Sequence, residues 1–408
     1  MSEVLPPGDS TGETSQADGP TPVVSFARIL GYFARLGTIG FGGPIATVGY
    51  MQRDLVERRA WINRTDFLDG VALGQTMPGP LAAQVAMWVG YLRRGALGAL
   101  AVAVTFIAPS FVIVVSVAAL YVRYAGLPMV AALFYGIAPA VMAIITLAAV
   151  KLIRLTNHRD RRLWAISALV FVLTALTGSE PVAVIIGAGL LMIVLDARPP
   201  MPRFRRRGTP PDRGTDQQRR SLMMPLPMGA AGALAGGGTL VSLGLFFLKT
   251  GALVFGSGLA IVPFLRQGVV DQHHWLTQPQ FLDAVAMGMI TPGPVVISAG
   301  FIGYLVAGFT GAVVATVAIF IPIYLAVVIP GRWFLRHRDN KQVKAFVAGA
   351  TAAAAGALSG AVVVLTRQAI TDWPTAAIAV VTLALLWRFK IGEPYVVVAA
   401  GAVGLLIH

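Results

Sequence analysis

Long apolar runs without a charged side chain dominate the sequence. Three of them are Gly95–Val122, Tyr124–Val150 and Ala284–Gly331, with 28, 27 and 48 residues. About 20 apolar residues cross the hydrocarbon core of a bilayer as an α-helix, whereas the strands of a transmembrane barrel alternate over about ten residues. The pattern therefore predicts an all-α polytopic membrane protein.

The same residue pattern occurs twice along the chain. A shift of 214 residues places glycine, proline, aromatic and aspartate positions of one half on those of the other. The matches are Phe33, Gly37, Phe41 and Gly42 with Phe247, Gly251, Phe255 and Gly256; Trp61, Phe67 and Asp69 with Trp275, Phe281 and Asp283; and Gly74, Pro78, Gly79 and Pro80 with Gly288, Pro292, Gly293 and Pro294. After a one-residue deletion, Gly90 and Gly95 match Gly303 and Gly308.

The duplication divides the chain into four parts. We predict a disordered cytoplasmic tail at 1–24, which lacks the basic start and short apolar core of a cleavable signal. A membrane repeat at 25–196, a basic cytoplasmic linker at 197–225 and a second membrane repeat at 226–408 follow. The linker is rich in Arg, Pro and Gly, and it is either a solvated tether or a binder of anionic lipid headgroups.

Basic residues are distributed oppositely in the loops of the two halves. Residues 151–162 carry five and 123–126 carry one, whereas in the second half 331–344 carry five and 367–373 carry one. Because short basic loops favour the cytoplasmic side, equivalent loops are expected on opposite sides of the membrane. We therefore predict an inverted repeat, with an added apolar segment around Met228–Phe247 to supply the odd crossing.

Composition agrees with this membrane location. Hydrophobic residues make up 56% and charged residues 12% of the chain, and the mean hydropathy is +0.74; soluble proteins have roughly 25% charged residues. The net charge of +14 comes largely from short gaps between apolar runs and from eight arginines in 197–220. That placement is typical of cytoplasmic loops, so we predict no nucleic-acid binding.

Two segments in each half combine glycine and proline within apolar surroundings. They are Gly40–Pro44, with Phe255–Gly258 as its repeat, and Gln75–Pro80, with Met289–Pro294 as its repeat. Proline interrupts a helix, and in hydrocarbon an interruption persists only where it is buried in protein or lines a wet cavity. We predict broken or re-entrant helices at these motifs; the alternative is a packing kink.

A half-helix that begins at such a break suits an anion, because its first N–H groups are unpaired and carry a partial positive charge. Transporters with inverted repeats commonly bind substrate there. The predicted substrate-binding groups are the backbone of Gly42, Gly43, Gly79, Leu81, Ala82, Gly256, Ser257, Gly293, Val295 and Val296 and the hydroxyls of Thr76 and Thr291.

Charged side chains within the apolar halves form two repeat-related pairs. Arg35 and Lys249 are predicted either to attract a dianion or to extend to the headgroups. Asp69 and Asp283 open the Pro-Gly-Pro segments, where they either cap helices or take part in ion coupling. Each of these functions would explain why the charged residue recurs in both halves.

Several other chemistries are disfavoured. The chain has no cysteine, which excludes disulfides and thiolate metal sites. The five histidines are not spaced with carboxylates as metal ligands are, and no nucleotide-binding loop is present. We therefore predict no metal, no cofactor and no enzyme activity.

Together, Gly40–Pro44 and Gly74–Pro80, with their repeats at Phe255–Gly258 and Thr291–Pro294, resemble the motifs of the chromate ion transporter family, and the resemblance covers residues 25–408. It implies a long-chain member made by fusion of two oppositely oriented halves. It also implies chromate export across the bacterial inner membrane, chromate resistance, and sulfate as a related substrate.

The two halves are chemically unequal in the very motifs that carry the resemblance. Ser257 and Gly258 replace Gly43 and Pro44, which disfavours two equivalent substrate sites. The expected mechanism is secondary-active efflux, in which the halves rock about one central site. A passive anion channel and a sulfate permease are alternatives, a membrane-embedded enzyme is a less favoured one, and a homodimer is one option for the assembly.

Overall fold

A computed structural model describes residues 24–41, 43–124, 127–178, 182–196, 238–254, 258–331, 340–389 and 391–407, and these contain helices but no strand. The first half contains α1 (Phe26–Ile39), α2 (Gly43–Met51), α3 (Arg64–Thr76), α4 (Leu81–Tyr124), α5 (Pro128–Asn157), α6 (Arg161–Thr177) and α7 (Val182–Asp196). The second contains α8 (Gly238–Ala252), α9 (Val262–Arg266), α10 (Gln278–Ile290), α11 (Ser298–Val328), α12 (Lys341–Ala369), α13 (Trp373–Arg388) and α14 (Glu393–Ile407).

Four short helical segments complete the described elements. The π-helical segments Gln52–Arg58 and Gln267–Gln272 extend α2 and α9, and the 3₁₀ segments Gly258–Ile261 and Val295–Ile297 precede α9 and α11. Among the residues that the structure describes, four stretches are long and apolar enough to cross a membrane, namely Leu81–Tyr124, Pro128–Asn157, Val295–Val328 and Lys341–Ala369. The predicted all-α membrane architecture with two repeats is confirmed.

Helices α4 and α11 each fold back on themselves at a glycine. Gly95 and Gly308 have φ of 58° and 61°, in the left-handed region that favours glycine. Beyond this turn Gly98 packs against Gly90, so closely that a methyl group on either would overlap the other's carbonyl oxygen. Each helix is therefore a hairpin, with arms α4a (81–93) and α4b (96–124), and α11a (298–306) and α11b (309–328).

The Pro-Gly-Pro motifs form the tips of re-entrant hairpins. Helix α3 packs antiparallel on α4a, since the indole Nε1 of Trp88 donates to the carbonyl oxygen of Asp66 at 2.8 Å. Each arm has 13 residues and is about 20 Å long, whereas the hydrocarbon core is about 30 Å thick. The chain therefore enters the membrane, turns at the motif and leaves by the same face, and α10 and α11a repeat this arrangement.

The chain also reverses direction between α1 and α2, and between α8 and α9, where the rings of Phe246 and Trp275 lie 5.8 Å apart. After Gly40 the chain returns along α2, which brings Trp61 back to Tyr32, with ring centroids 6.3 Å apart. Gly37 of α1 packs on the backbone of Phe106 in α4b, and Gly251 of α8 packs on α11b in the same way. Each half thus contains two re-entrant hairpins followed by spanning helices.

The two halves are inverted relative to each other. In α4b and α11b the rings of Phe111 and Phe309 lie 6.3 Å apart, and the hydroxyl of Tyr324 donates to the carbonyl oxygen of Ala96 at 3.0 Å. The repeat offset pairs Ala96 with Phe309 and Phe111 with Tyr324, so these two contacts are copies of one contact. Antiparallel helices with reciprocal contacts require a two-fold axis in the membrane plane, which confirms the predicted inversion.

Basic side chains concentrate at one end of this assembly, the basic face, where α4b begins and α5 ends. Those at helix ends and turns on this face are Arg28, Arg53, Arg58, Arg59, Arg64, Arg93, Arg94, Lys151, Arg154, Arg159, Arg161, Arg162, Lys341, Lys344 and Arg388, whereas Arg123, Arg266 and Arg367 lie at the opposite face. The predicted loop 151–162 is partly wrong, because α5 continues as a helix to Asn157.

The first half ends at Asp196 at one face of the membrane, and the described part of the second half begins at Gly238 at the opposite face. Asp196 pairs with Arg162 at the basic face, 2.6 Å away, and α8 begins at the opposite face beside α11b. The tail 1–24, apart from its last residue, and the linker 197–225 lie outside the described residues. The predicted extra crossing at Met228–Phe247 is corrected in its described part, since residues 238–247 belong to α8, the counterpart of α1.

Candidate functional site

The two Pro-Gly-Pro tips are joined to each other's half by reciprocal hydrogen bonds. The amide of Gly79 donates to the carbonyl oxygen of Val254 at 2.5 Å, and the amide of Gly293 donates to that of Gly40 at 3.2 Å. Under the 214-residue offset Gly40 corresponds to Val254 and Gly79 to Gly293. The two bonds are therefore one contact repeated by the two-fold axis, and they fix the tips side by side in the middle of the membrane.

Only glycine fits at either tip. Gly79 and Gly293 have φ of 142° and 102°, values that residues with a Cβ rarely adopt. A Cβ on Gly79 would lie 2.7 Å from Nε2 of Gln84, and a Cβ on Gly293 would overlap Oγ of Ser110. Gln84 also donates to the carbonyl oxygen of Pro78 at 2.8 Å, which ties the tip to its own α4a arm.

A cavity of about 550 Å³ lies against both tips and opens to the basic face. The hairpins contribute Gly40, Phe41, Gly74, Gln75, Leu81, Gly288, Met289, Thr291, Gly293 and Val295. The spanning helices and their ends contribute Ile144, Leu147, Ala148, Lys151, Leu152, Leu155, Thr156, His158, Ala348, Thr351, Leu386, Ile391 and Glu393. Its size and its mid-membrane floor suit a small hydrated ion.

The polar and charged side chains that line this cavity are Gln75, Lys151, Thr156, His158, Thr291, Thr351 and Glu393. Lys151 supplies an ammonium group, and the side chain of Gln75 supplies an amide that is exposed to the cavity. His158 and the carboxylate of Glu393 lie near the mouth, together with Lys151. The ammonium group of Lys151 and the side-chain amide of Gln75 favour binding of an anion in this cavity. The negative charge of Glu393 disfavours it.

The predicted donors of the tips differ in availability. Gly293 lines the cavity and Gly79 does not, and the amides of both already donate to carbonyl oxygens. Leu81 and Val295 line the cavity at the start of a helix, where amides have no intrahelical acceptor. Ala82 and Val296 are buried.

The threonine hydroxyls are engaged in local hydrogen bonds. Thr76 donates to the carbonyl oxygen of Ala72 and Thr291 to that of Met287, each at 2.6 Å. Because a hydroxyl has one proton, neither group donates to a ligand in this arrangement. Thr291 still lines the cavity with its side chain.

The structure does not bring the predicted cations to the cavity. Arg35 and Lys249 are exposed on the outer sides of α1 and α8, and neither lines the cavity. Gly43 begins α2, and Gly42, Gly256 and Ser257 lie outside the described residues. The cation that does line the cavity, Lys151, was missed because the end of an apolar run at this residue suggested a loop.

Asp69 and Asp283 are buried inside helices and do not cap them. The residues that precede α3 and α10 are Asn63 and Thr277, so the capping interpretation is wrong. A carboxylate oxygen of Asp283 accepts a hydrogen bond from the hydroxyl of Tyr121 at 2.7 Å. Asp283 lines a second cavity, of about 380 Å³, at the opposite face. Within the described ranges no cluster of three or more His, Asp or Glu residues suits a metal ion.

Crossed re-entrant hairpins, an in-plane two-fold axis and a mid-membrane cavity define the class of inverted-repeat membrane transporters. A sequence model of the chromate transporter family matches residues 27–193 and 241–405, one match for each half. The chain belongs to the chromate transporter family.

Relatives of full and half length agree with this assignment. A chromate transport protein of Cupriavidus metallidurans is 45% identical over 405 residues, covering 98% of both chains. A probable chromate transport protein of Synechococcus elongatus is 46% identical and covers 94% of this chain and 96% of its own. An uncharacterized transporter of Bacillus subtilis, 27% identical, covers 41% of this chain and 98% of its own, so it has the length of one half. No solved structure matches the chain.

Proposed function

We propose that this protein exports chromate from the cytoplasm across the bacterial inner membrane as a secondary transporter. Family membership and the names of two full-length relatives support chromate as the substrate. The observation that carries the proposal is the cavity at the paired hairpin tips, with Lys151 and Gln75 among its lining residues. Sulfate, which has the same shape and charge, is the competing oxyanion.

The basic face is assigned to the cytoplasm. Basic residues accumulate on the cytoplasmic side of membrane proteins, and the cavity opens to this face. A cytoplasmic anion would therefore reach the tips through a mouth surrounded by positive charge. This assignment places the C-terminal end of α14 on the outer side.

The proposed substrate position is the floor of the cavity. Leu81, the first residue of α4a, and Val295, the first residue of the 3₁₀ segment before α11, line this floor at helix N-termini, whose partial positive charge favours an anion. Gln75 would donate from its amide, and Lys151 would supply the long-range attraction. No metal or cofactor enters this arrangement.

The membrane potential favours export of a dianion. Each charge that crosses 100 mV gains about 2.3 kcal/mol, so two charges leaving a cell at roughly 150 mV inside-negative gain about 7 kcal/mol. Export therefore needs no nucleotide hydrolysis. Entry of protons in exchange would add to this driving force.

Vesicles of known orientation test both the substrate and the direction. In everted vesicles, where the basic face points outward, we expect saturable uptake of labelled chromate above that of vesicles without the protein. Excess unlabelled sulfate in a parallel sample measures selectivity between the two oxyanions. Flux equal to that of empty vesicles would refute chromate transport, and saturable uptake only by right-side-out vesicles would reverse the direction.

Asp283 is the proposed coupling residue, with Asp69 as its repeat mate. We expect the Asp283→Asn variant to keep chromate exchange at equilibrium but to lose most acceleration by an imposed proton gradient. Asp271→Asn is the matched control, because Asp271 lies at the same face and pairs with Arg266 at 3.4 Å. A gradient response in Asp283→Asn equal to that of the unmodified protein would exclude Asp283 as the coupling group.

A further inference from the structure

The second cavity lies on the same helices as the first but at the opposite face. It is lined by the beginning of α5, the beginning of α10 and the end of α12, including Tyr135, Ala138, Asp283 and Gln368. The first cavity is lined by the end of α5, the end of α10 and the beginning of α12. Both cavities therefore follow one line across the membrane, from opposite sides.

The two-fold axis converts the lining of one cavity into that of the other. The repeat offset of 213 residues in this region aligns Gly136 with Gly349 and Arg154 with Arg367. Under it, five lining residues of the second cavity have mates that line the first. The pairs are Tyr135 with Ala348, Ala138 with Thr351, Gln368 with Leu155, Ala369 with Thr156, and Thr371 with His158. The outer cavity is thus the symmetry mate of the inner mouth.

The two cavities differ in depth. The inner cavity reaches Gly288 and Gly293 at the hairpin tip. Along α10 the outer cavity ends at Asp283. Asp283 precedes Gly288 by five residues, which is about 8 Å along a helix. Ala148 of α5 lines the inner cavity, but its mate in α12, Ala361, is 5% exposed. The route is therefore open along α5 and closed along α12.

Close packing of α12 on α6 closes the outer route. A Cβ on Gly360 would lie 2.7 Å from the carbonyl oxygen of Phe171 in α6. The symmetry-related position is different, because Leu147 of α5, the mate of Gly360, lines the inner cavity together with Leu386 of α13. At this level α12 is packed on α6, whereas α5 and α13 both border a cavity, although the two helix pairs are equivalent in sequence position.

We infer that the outer cavity is the exit half of the translocation path, and that the outward-open state forms when the two halves exchange these arrangements. In that state α12 parts from α6, which exposes Ala357 and Ala361 to the outer solution, while α5 closes on α13 and buries Ala148. The inference rests on the proposed function for the identity of the ion. The inference concerns the route and the helix pairs that open and close it, and their accessibility can be measured without measuring chromate flux.

The absence of cysteine from the chain allows a direct test by single-cysteine labelling. The variants are Ala148→Cys and Ala361→Cys, with Thr177→Cys, exposed near the opposite face, as the accessible control. A charged, membrane-impermeant maleimide is applied to right-side-out or everted vesicles. We expect Ala148→Cys to react only from the basic face and Ala361→Cys to react only from the opposite face, more slowly than Thr177→Cys.

A modification that holds the inner route open should also lower the labelling rate at position 361. Reaction of Ala148→Cys with a bulky thiol reagent keeps the inner route open, so in a double-cysteine variant it should slow labelling at position 361 several-fold. Ala357→Cys repeats the test in case Ala361→Cys does not fold. Labelling of positions 357 and 361 from the basic face, or no labelling before denaturation, would overturn the inference. Absent chromate flux with the expected labelling would instead refute the substrate assignment alone.

Discussion

Replacement of the tip glycines by alanine is expected to lower chromate transport at least tenfold at unchanged membrane content. A side chain at the φ of Gly79 or Gly293 costs about 1–3 kcal/mol, and the added methyl would overlap Gln84 or Ser110. The strain falls on the amides that join each tip to the other half. The measurement is uptake by everted vesicles normalised to protein detected in the membrane.

Two further variants separate the tip geometry from a general loss of stability. Gly31→Ala is the matched control, because a Cβ at Gly31 in α1 has no neighbour within 4 Å, and it should transport normally. Ser110→Gly combined with Gly293→Ala removes the overlapping hydroxyl and should restore part of the lost activity. Full activity of Gly79→Ala and Gly293→Ala would exclude the crossed tips from the transport mechanism.

Loss of the cavity cation is expected to raise the KM for chromate about tenfold, with a smaller change in the maximum rate. The Lys151→Gln variant removes the positive charge at the mouth, and the attraction of that charge for a dianion across a partly aqueous cavity is worth on the order of 1–2 kcal/mol. Such a difference corresponds to roughly a tenfold change in affinity. Initial rates over a range of chromate concentrations in everted vesicles measure both parameters.

Neighbouring charges supply the controls for Lys151. Arg154→Gln removes a charge one helical turn further along α5, at an exposed residue that does not line the cavity, and should leave the KM within about twofold. Glu393→Gln removes the carboxylate that lines the cavity with Lys151, so it should lower the KM. An equal effect of Lys151→Gln and Arg154→Gln would indicate a general surface potential and no specific site.

Sequence reasoning located the hairpin tips but not their hydrogen bonds. The Pro-Gly-Pro repeat predicted interrupted helices, because proline and glycine act on the backbone within a few residues of their own position. It also predicted free amides at Gly79 and Gly293, but the amide of Gly79 donates to Val254 and that of Gly293 donates to Gly40. Those acceptors lie in the other half of the chain, and no local pattern indicates a partner that distant.

The charged residues show the same limit. Arg35 and Lys249 were predicted at the site because they recur in both halves, yet both are exposed on outer helix surfaces. Lys151 lines the cavity and has Val364 as its mate in the second half. Recurrence in a repeat reports a shared fold, whereas a single central site in an inverted repeat can take its cation from one half alone.

The sequence by itself determined the membrane class, the duplication, the inverted topology and the positions of the chain breaks. The membrane class, the inversion and the chain breaks follow from apolar run length, loop charge and backbone stereochemistry, which act over tens of residues or fewer, and the duplication follows from residue matches at a fixed offset. Only the tertiary structure decided which amides are free, which cation reaches the cavity and which route is open. These depend on contacts between residues about 200 positions apart, which exist only once the two halves pack around their common axis.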